Sequence, residues 1–105
     1  MRTCCKEFTN DPSNIYGHLT NDAVQKKHKD YGKYEPCNKL SYTEFEAFLK
    51  TKDLSYEGTL NRMKELAKVS IKAAEDKLKG DKNIFSFEVF GYDFLIDSKG
   101  KVWLI

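Results

Sequence analysis

At 105 residues, with 40% hydrophobic and 32% charged side chains, the chain has the size and balance of one ordinary globular domain or part of one. Basic residues number 18 against 16 acidic, a net +2 that is too even to point to nucleic acid, and no apolar run approaches the ~20 residues of a membrane span. The three cysteines form an odd set with no C-x₂₋₄-C spacing, which argues against a disulfide framework and a zinc site; with no hydrophobic leader after Met1-Arg2, they point to reduced thiols in a cytoplasmic setting.

Arg2 to Cys5 reads as the tail of a strand, and Lys6 to Gly17, rich in Asn, Asp, Pro and Ser, as a loop. His18-Leu19-Thr20-Asn21 follows, then the basic stretch from Gln25 to Lys29. Tyr31 to Asn38 is another irregular connection, punctuated by Gly32 and Pro36. At Ser41 the pattern changes. Ser41 and Glu44 have capping-box spacing, Leu40 can staple onto Phe45, and Phe45, Phe48 and Leu49 form a buried stripe through about Lys50. A longer helix is expected over Thr59 to Lys79, with Leu60, Met63, Ala67, Ile71, Ala74 and Leu78 on one core-facing stripe and Gly80 just past its end.

The remaining residues read as a hairpin. Its first strand is apolar and carries Asp93 on the face shared by Phe85, Phe87, Val89 and Leu95. A two-residue turn at Lys99-Gly100 pairs Ser98 with Lys101, Asp97 with Val102 and Leu95 with Leu104, which sets Asp93 opposite the position after Ile105. Phe94, Ile96, Trp103 and Ile105 then occupy the other side, so both faces are expected to be covered. The run Val102 to Ile105, without a closing polar residue, reads as cut rather than finished.

Few residues offer chemistry. A carboxylate on an apolar strand face costs several kcal/mol unless compensated; Asp93 is therefore either a magnesium ligand beside a phosphate or an acid satisfied by a cap or a lysine. Thr20 and Asn21 offer a hydroxyl and an amide to a ribose or phosphate, or a local turn. Arg2 either forks onto phosphate oxygens or stays solvated. The Gln25 to Lys29 run is a solvated face or a patch that steers an acidic partner. Gly-rich phosphate loops, G-x-S-x-G and H-E-x-x-H are all missing.

Taken in order, RTCCKEF, HLTN, QKKHKDYGKYEPCNKLSYTEF and FEVFGYDFLIDSKGKVWLI resemble the tubulin–tyrosine ligase family, whose members have an ATP-grasp fold. The likeness covers essentially the whole chain, and its DAVQKK to NKLSY stretch looks closer to tyrosine-ligase-type members than to typical polyglutamylases. The resemblance implies an α+β chain, the C-terminal portion of an ATP-grasp fold. Two helices would pack on a mixed or antiparallel sheet ending in a β-hairpin, with residues 1–105 a partial domain truncated at both ends.

It also implies ATP- and Mg²⁺-dependent ligation of tyrosine, glutamate or glycine to a carboxylate of the acidic tubulin tail, by way of an acyl phosphate. Asp93 matches the family's Mg²⁺ ligand, Thr20 and Asn21 match nucleotide contacts, and Arg2 matches an arginine near the phosphates and the amino-acid substrate. Tubulin, ATP and an amino acid are the implied partners, with neither nucleic acid nor membrane, at cytoplasmic microtubules or cilia. The family's E-x-N after the last strand is not in the sequence, so the 105-residue chain alone is expected to be inactive. Cys4-Cys5 stands where the family has Ser-Ser, and Cys37 where it has the Gly of a turn, a strained choice if that turn needs positive φ. The alternative is a non-catalytic basic module that holds acidic tubulin tails; a nucleic-acid binder using Tyr31 and Tyr34 ranks behind both.

Overall fold

The structure, a computed structural model, describes residues 1–79 and 87–105. It forms two compact units, Met1–Leu49 and Lys50–Ile105, and its class is α+β, as the sequence leads one to expect.

In the first unit the expected strand tail is a single antiparallel bridge between Arg2 and Lys39. Thr3 N–H donates to Asn38 O (3.0 Å) and Leu40 N–H to Met1 O (2.9 Å) on either side of it. The loop that follows is ordered by its own polar side chains. Asp11 accepts the Ser13 amide (2.9 Å) and hydroxyl (2.8 Å), and Asn14 Nδ2 donates to Glu7 O and Thr9 Oγ1, both at 3.0 Å. Gly17 lets this loop lie close, because a Cβ there would run into the Asn14 amide and the Glu7 carbonyl. Two single helical turns come next, α1 (Ile15–His18) and α2 (Asp22–Gln25), then a 3₁₀ turn at Pro36–Asn38.

Helix α3 (Tyr42–Lys50) starts where the capping box puts it. Ser41 N–H donates to Glu44 Oε2 (2.7 Å) and Glu44 N–H to Ser41 Oγ (3.2 Å). Phe45 and Leu49 are buried, but Phe48 is 44% exposed. The stripe is narrower than expected, a single i,i+4 pair.

In the second unit α4 (Tyr56–Leu78) begins three residues before the expected start, because Ser55 caps it: its Oγ accepts the Gly58 amide at 3.0 Å. The expected core-facing stripe is only partly covered. Leu60, Met63, Ala67 and Ala74 are half-buried, whereas Ile71 and Leu78 are exposed and Thr59 is the helix's one buried residue. Gly80 lies outside the described residues.

Strands β1 (Phe94–Ile96) and β2 (Val102–Leu104) form an antiparallel pair, with β2 against α4. The residues described before β1, 87–93, are not strand. Tyr92, at the head of β1, ties the hairpin to the helix through a 2.7 Å hydroxyl–hydroxyl bond to Ser70.

The hairpin register departs from the expected one by a single residue. Phe94 pairs with Leu104, Leu95 with Trp103 and Ile96 with Val102. The cause is Asp97. Its Oδ1 accepts the amides of Lys99 (2.9 Å) and Lys101 (3.0 Å), and its Oδ2 accepts Trp103 Nε1–H (3.1 Å). Those donors close a three-residue loop, Ser98 to Gly100, with Gly100 at φ +79 where a Cβ would also strike Leu54. A one-residue slip exchanges faces. Trp103 and Ile105 therefore join Asp93 and Leu95 on one side, and that side is open: Leu95 is 51% and Trp103 47% exposed. Phe94, Ile96, Val102 and Leu104 share the other side, where Val102 is buried, Phe94 and Ile96 are half-buried and Leu104 is exposed, so the expectation of two covered faces does not hold.

Candidate functional site

Arg2, Thr20 and Asn21 lie in the first unit and Asp93 in the second. Arg2 is held by its backbone bridge to Lys39, which leaves the guanidinium exposed. Thr20 and Asn21 form the link between α1 and α2. Asn21 is the N-cap residue of α2, but only its backbone takes part: its carbonyl accepts the Val24 and Gln25 amides at 2.9 Å, and its side chain makes no capping bond. The alternative of an Asx turn is thereby not the structure's choice, and the carboxamide faces outward.

Asp93 is exposed, opposite Ile105, whose amide donates to its carbonyl at 3.1 Å. The register slip corrects two expectations. Asp93 does not face a position beyond Ile105, and its face is not buried, so no desolvation penalty demands a compensating cation there. Phe85, expected on the same face, lies outside the described residues. Among the described residues no side-chain partner engages Arg2, Thr20, Asn21 or Asp93.

Taken unit by unit, the guanidinium, hydroxyl and amide of the first are groups of the kind that bind phosphate oxygens, and the carboxylate of the second is of the kind that joins a magnesium ion held largely by phosphate oxygens and water. Neither forms an all-protein metal cage, since no three His, Cys, Asp or Glu side chains cluster among the described residues. A mostly apolar groove of about 410 Å³ in the same unit as Thr20 and Asn21 is lined by Phe8, Thr9, Asn10, Pro12, Ile15, His18 and Leu19, and neither Thr20 nor Asn21 lines it. His18 Nε2 donates to Asp11 O (2.9 Å) while its ring meets Phe8 edge-on at 5.1 Å.

The basic run is not the uniform solvated face its composition suggests. Lys26 is paired with Asp22 at 2.8 Å, and the same carboxylate accepts the Tyr31 hydroxyl at 2.6 Å. These bonds, Lys26 first, hold the Asp22 carboxyl below the usual carboxylate range. Lys27 and Lys29 are exposed.

Gln25 and Asn38 escaped the sequence reading altogether. Gln25 is fully buried, at 0% exposure: its Oε1 accepts the Cys5 amide (2.8 Å), and its Nε2 donates to Tyr16 O (3.3 Å) and to Leu19 O. Asn38, also buried, donates to the Cys5 thiol (3.1 Å) and Thr3 O (3.4 Å) and accepts the Gly32 amide (2.7 Å). Both amides sit in stretches dominated by charge or turn residues, where nothing in spacing marks them. Cys37 adopts φ +55, the strained conformation that its substitution for glycine foreshadowed.

Residues 1–105 match the model of the tubulin-tyrosine ligase family. A tubulin glycylase 3B from Tetrahymena thermophila is 36% identical over the whole chain, which corresponds to 9% of that protein. A probable tubulin polyglutamylase from Rattus norvegicus is 35% identical over 86% of the chain and 19% of its own length, and its Mus musculus counterpart gives the same values. The chain thus spans under a fifth of these curated relatives.

Proposed function

The chain belongs to the tubulin-tyrosine ligase family, and from that premise we propose that it is part of an ATP-grasp ligase that joins an amino acid to a carboxylate of an acidic tubulin tail. The family match over residues 1–105 carries the reading, and the four uncommitted motif side chains support it. Arg2 offers its guanidinium fork to phosphate or carboxylate oxygens, Thr20 and Asn21 offer a hydroxyl and an amide to the nucleotide, and Asp93 is the magnesium ligand. Bound ATP with magnesium supplies the activation of the tail carboxylate, the charge of the moving phosphoryl group being offset by the cation and basic side chains. The same reading carries a further point: the chain alone binds nucleotide but does not complete the ligation.

Calorimetry with ATP in the presence and absence of magnesium tests this. Thr20→Ala and Asn21→Ala are expected to weaken nucleotide binding roughly tenfold each. Asp93→Asn should abolish the magnesium dependence. Saturable ATP binding indifferent to all three changes would remove the assignment, and incorporation of labelled tyrosine, glutamate or glycine into tubulin by this chain would remove its inactivity. A second reading, a non-catalytic module for acidic tails, draws on the exposed Lys27 and Lys29. Salt-sensitive tubulin binding without any nucleotide uptake would favour it.

A further inference from the structure

We infer that Gln25 is a positioning residue, whose buried amide locks the Thr20-Asn21 link to the segment that carries Arg2. Its consequence for nucleotide binding rests on the ligase reading; its geometry does not. The carboxamide has one possible orientation, because its Oε1 side meets the Cys5 N–H while its Nε2 side meets the carbonyls of Tyr16 and Leu19. Cys5 lies three residues beyond Arg2, and Leu19 immediately precedes Thr20. The backbone of the same residue closes the other end of the link: Gln25 N–H donates to Asn21 O at 2.9 Å. Thr20 and Asn21 are therefore gripped from both sides by one residue.

No other side chain reproduces this. Glutamate would set a carboxylate against two carbonyl oxygens once ionised, asparagine is one methylene short, and leucine or methionine would leave the buried Cys5 N–H and the Leu19 carbonyl without their partner, Tyr16 O keeping the Lys6 amide at 3.3 Å. An apolar residue of this volume would fill the space at lower desolvation cost, so filling space does not explain a buried amide.

Gln25→Glu makes the lock pH-dependent. The introduced carboxyl, buried against carbonyl oxygens, titrates above the ordinary glutamate value of about 4.3; protonated, it accepts the Cys5 amide and donates its single O–H to one of the two carbonyls, and ionised it donates to neither. In ligand-free chain, amide NMR signals of Cys5, Thr20 and Asn21 should lie near their wild-type positions at about pH 5 and move together with one midpoint as pH rises toward about 8. Signals of α4 and the hairpin should stay still. Movement of Cys5 without Thr20 and Asn21 would overturn the inference. ATP affinity of the variant, measured beside wild type across the same pH series, should fall roughly tenfold more than the wild-type value with the same midpoint; unchanged affinity in a variant whose signals move would equally overturn it. If wild-type chain takes up no ATP, the ligase reading fails while the NMR arm still decides the lock. Should the variant not fold, the unsubstituted chain decides through hydrogen-bond scalar couplings. They are expected from the Cys5 amide to the Gln25 side-chain carbonyl and from Gln25 Nε2 to the Leu19 carbonyl, and their absence refutes the arrangement.

Discussion

Cys37 and Asn38 follow one another at φ +55 and +52, yet the two residues meet that demand differently. Asparagine tolerates the left-handed region and here fills three hydrogen bonds from it, whereas cysteine bears the Cβ penalty with only its thiol's interaction with the Tyr31 hydroxyl to set against it. Cys37→Gly should therefore raise stability by about 0.5–1 kcal/mol in urea denaturation, the relief of the Cβ clash less the added chain entropy of glycine. Asn38→Ala should lower it by about 1–2 kcal/mol, since the part-buried Gly32 amide and Thr3 carbonyl lose their partner. Tyr31 carries a third expectation. Its hydrogen bond to Asp22, aided by desolvation and by Cys37, raises the phenol pKa well above the usual value. The neutral phenol is the favoured form in the folded chain, so the bond's contribution is whole below an unfolded value of about 10 and fades as pH climbs through the folded one. In an absorbance titration at alkaline pH, Tyr31→Phe should remove a late-ionising component and leave the earlier rise unchanged.

At the level of elements the same carboxylate chemistry decides the hairpin. The Trp103 indole, then the amides of Lys101 and Lys99, hold the Asp97 carboxyl below the ordinary aspartate range. A depressed folded pKa means that the bonds stabilise above the unfolded value of about 3.9 and are lost as pH falls through the lower, folded one. Trp103 is the only tryptophan, so its fluorescence should report that acid transition alone. Asp97→Asn, which keeps an oxygen for the turn amides but cannot ionise, should flatten it. This residue also explains what could be read from the sequence and what could not. The capping box at Ser41 and the Ser55–Gly58 start of α4 are local, set by atoms three residues apart, and the first was legible with its partners. Helix α3 followed from such signals, whereas the α+β class came from the motif likeness. The hairpin register was not legible, because X-Gly at Lys99-Gly100 fits both a two-residue and a three-residue loop, and a side chain outside the turn breaks the tie. Arg2, Thr20, Asn21 and Asp93 stood out through motif likeness, whereas Gln25 did not, because a buried amide's partners are backbone atoms that spacing cannot locate.

On the scale of the molecule, burial is sparse. Among the described residues the buried apolar side chains are Cys5, Phe45, Leu49 and Val102, while Phe87, Val89, Leu95, Trp103 and Ile105 are exposed. The slip that brings Trp103 and Ile105 beside Leu95 on Asp93's side concentrates apolar area on one face of a two-stranded sheet. Short two-stranded sheets are marginal by themselves, and contiguous exposed apolar patches favour association. Lys101, its ammonium 3.7 Å from the centroid of the Trp103 ring, shields part of this face. The chain should accordingly self-associate as concentration rises, seen as an increasing weight-average mass in sedimentation equilibrium. Leu95→Lys should suppress that rise, because it sets a charge in the centre of the patch and touches none of the Asp97 bonds that fix the turn. Lys101→Ala should act the opposite way by baring the indole. A mass that stays monomeric at all concentrations, or one that responds equally to a lysine on the outer face of α4 such as Lys68→Ala, would show that the open hairpin face does not drive association.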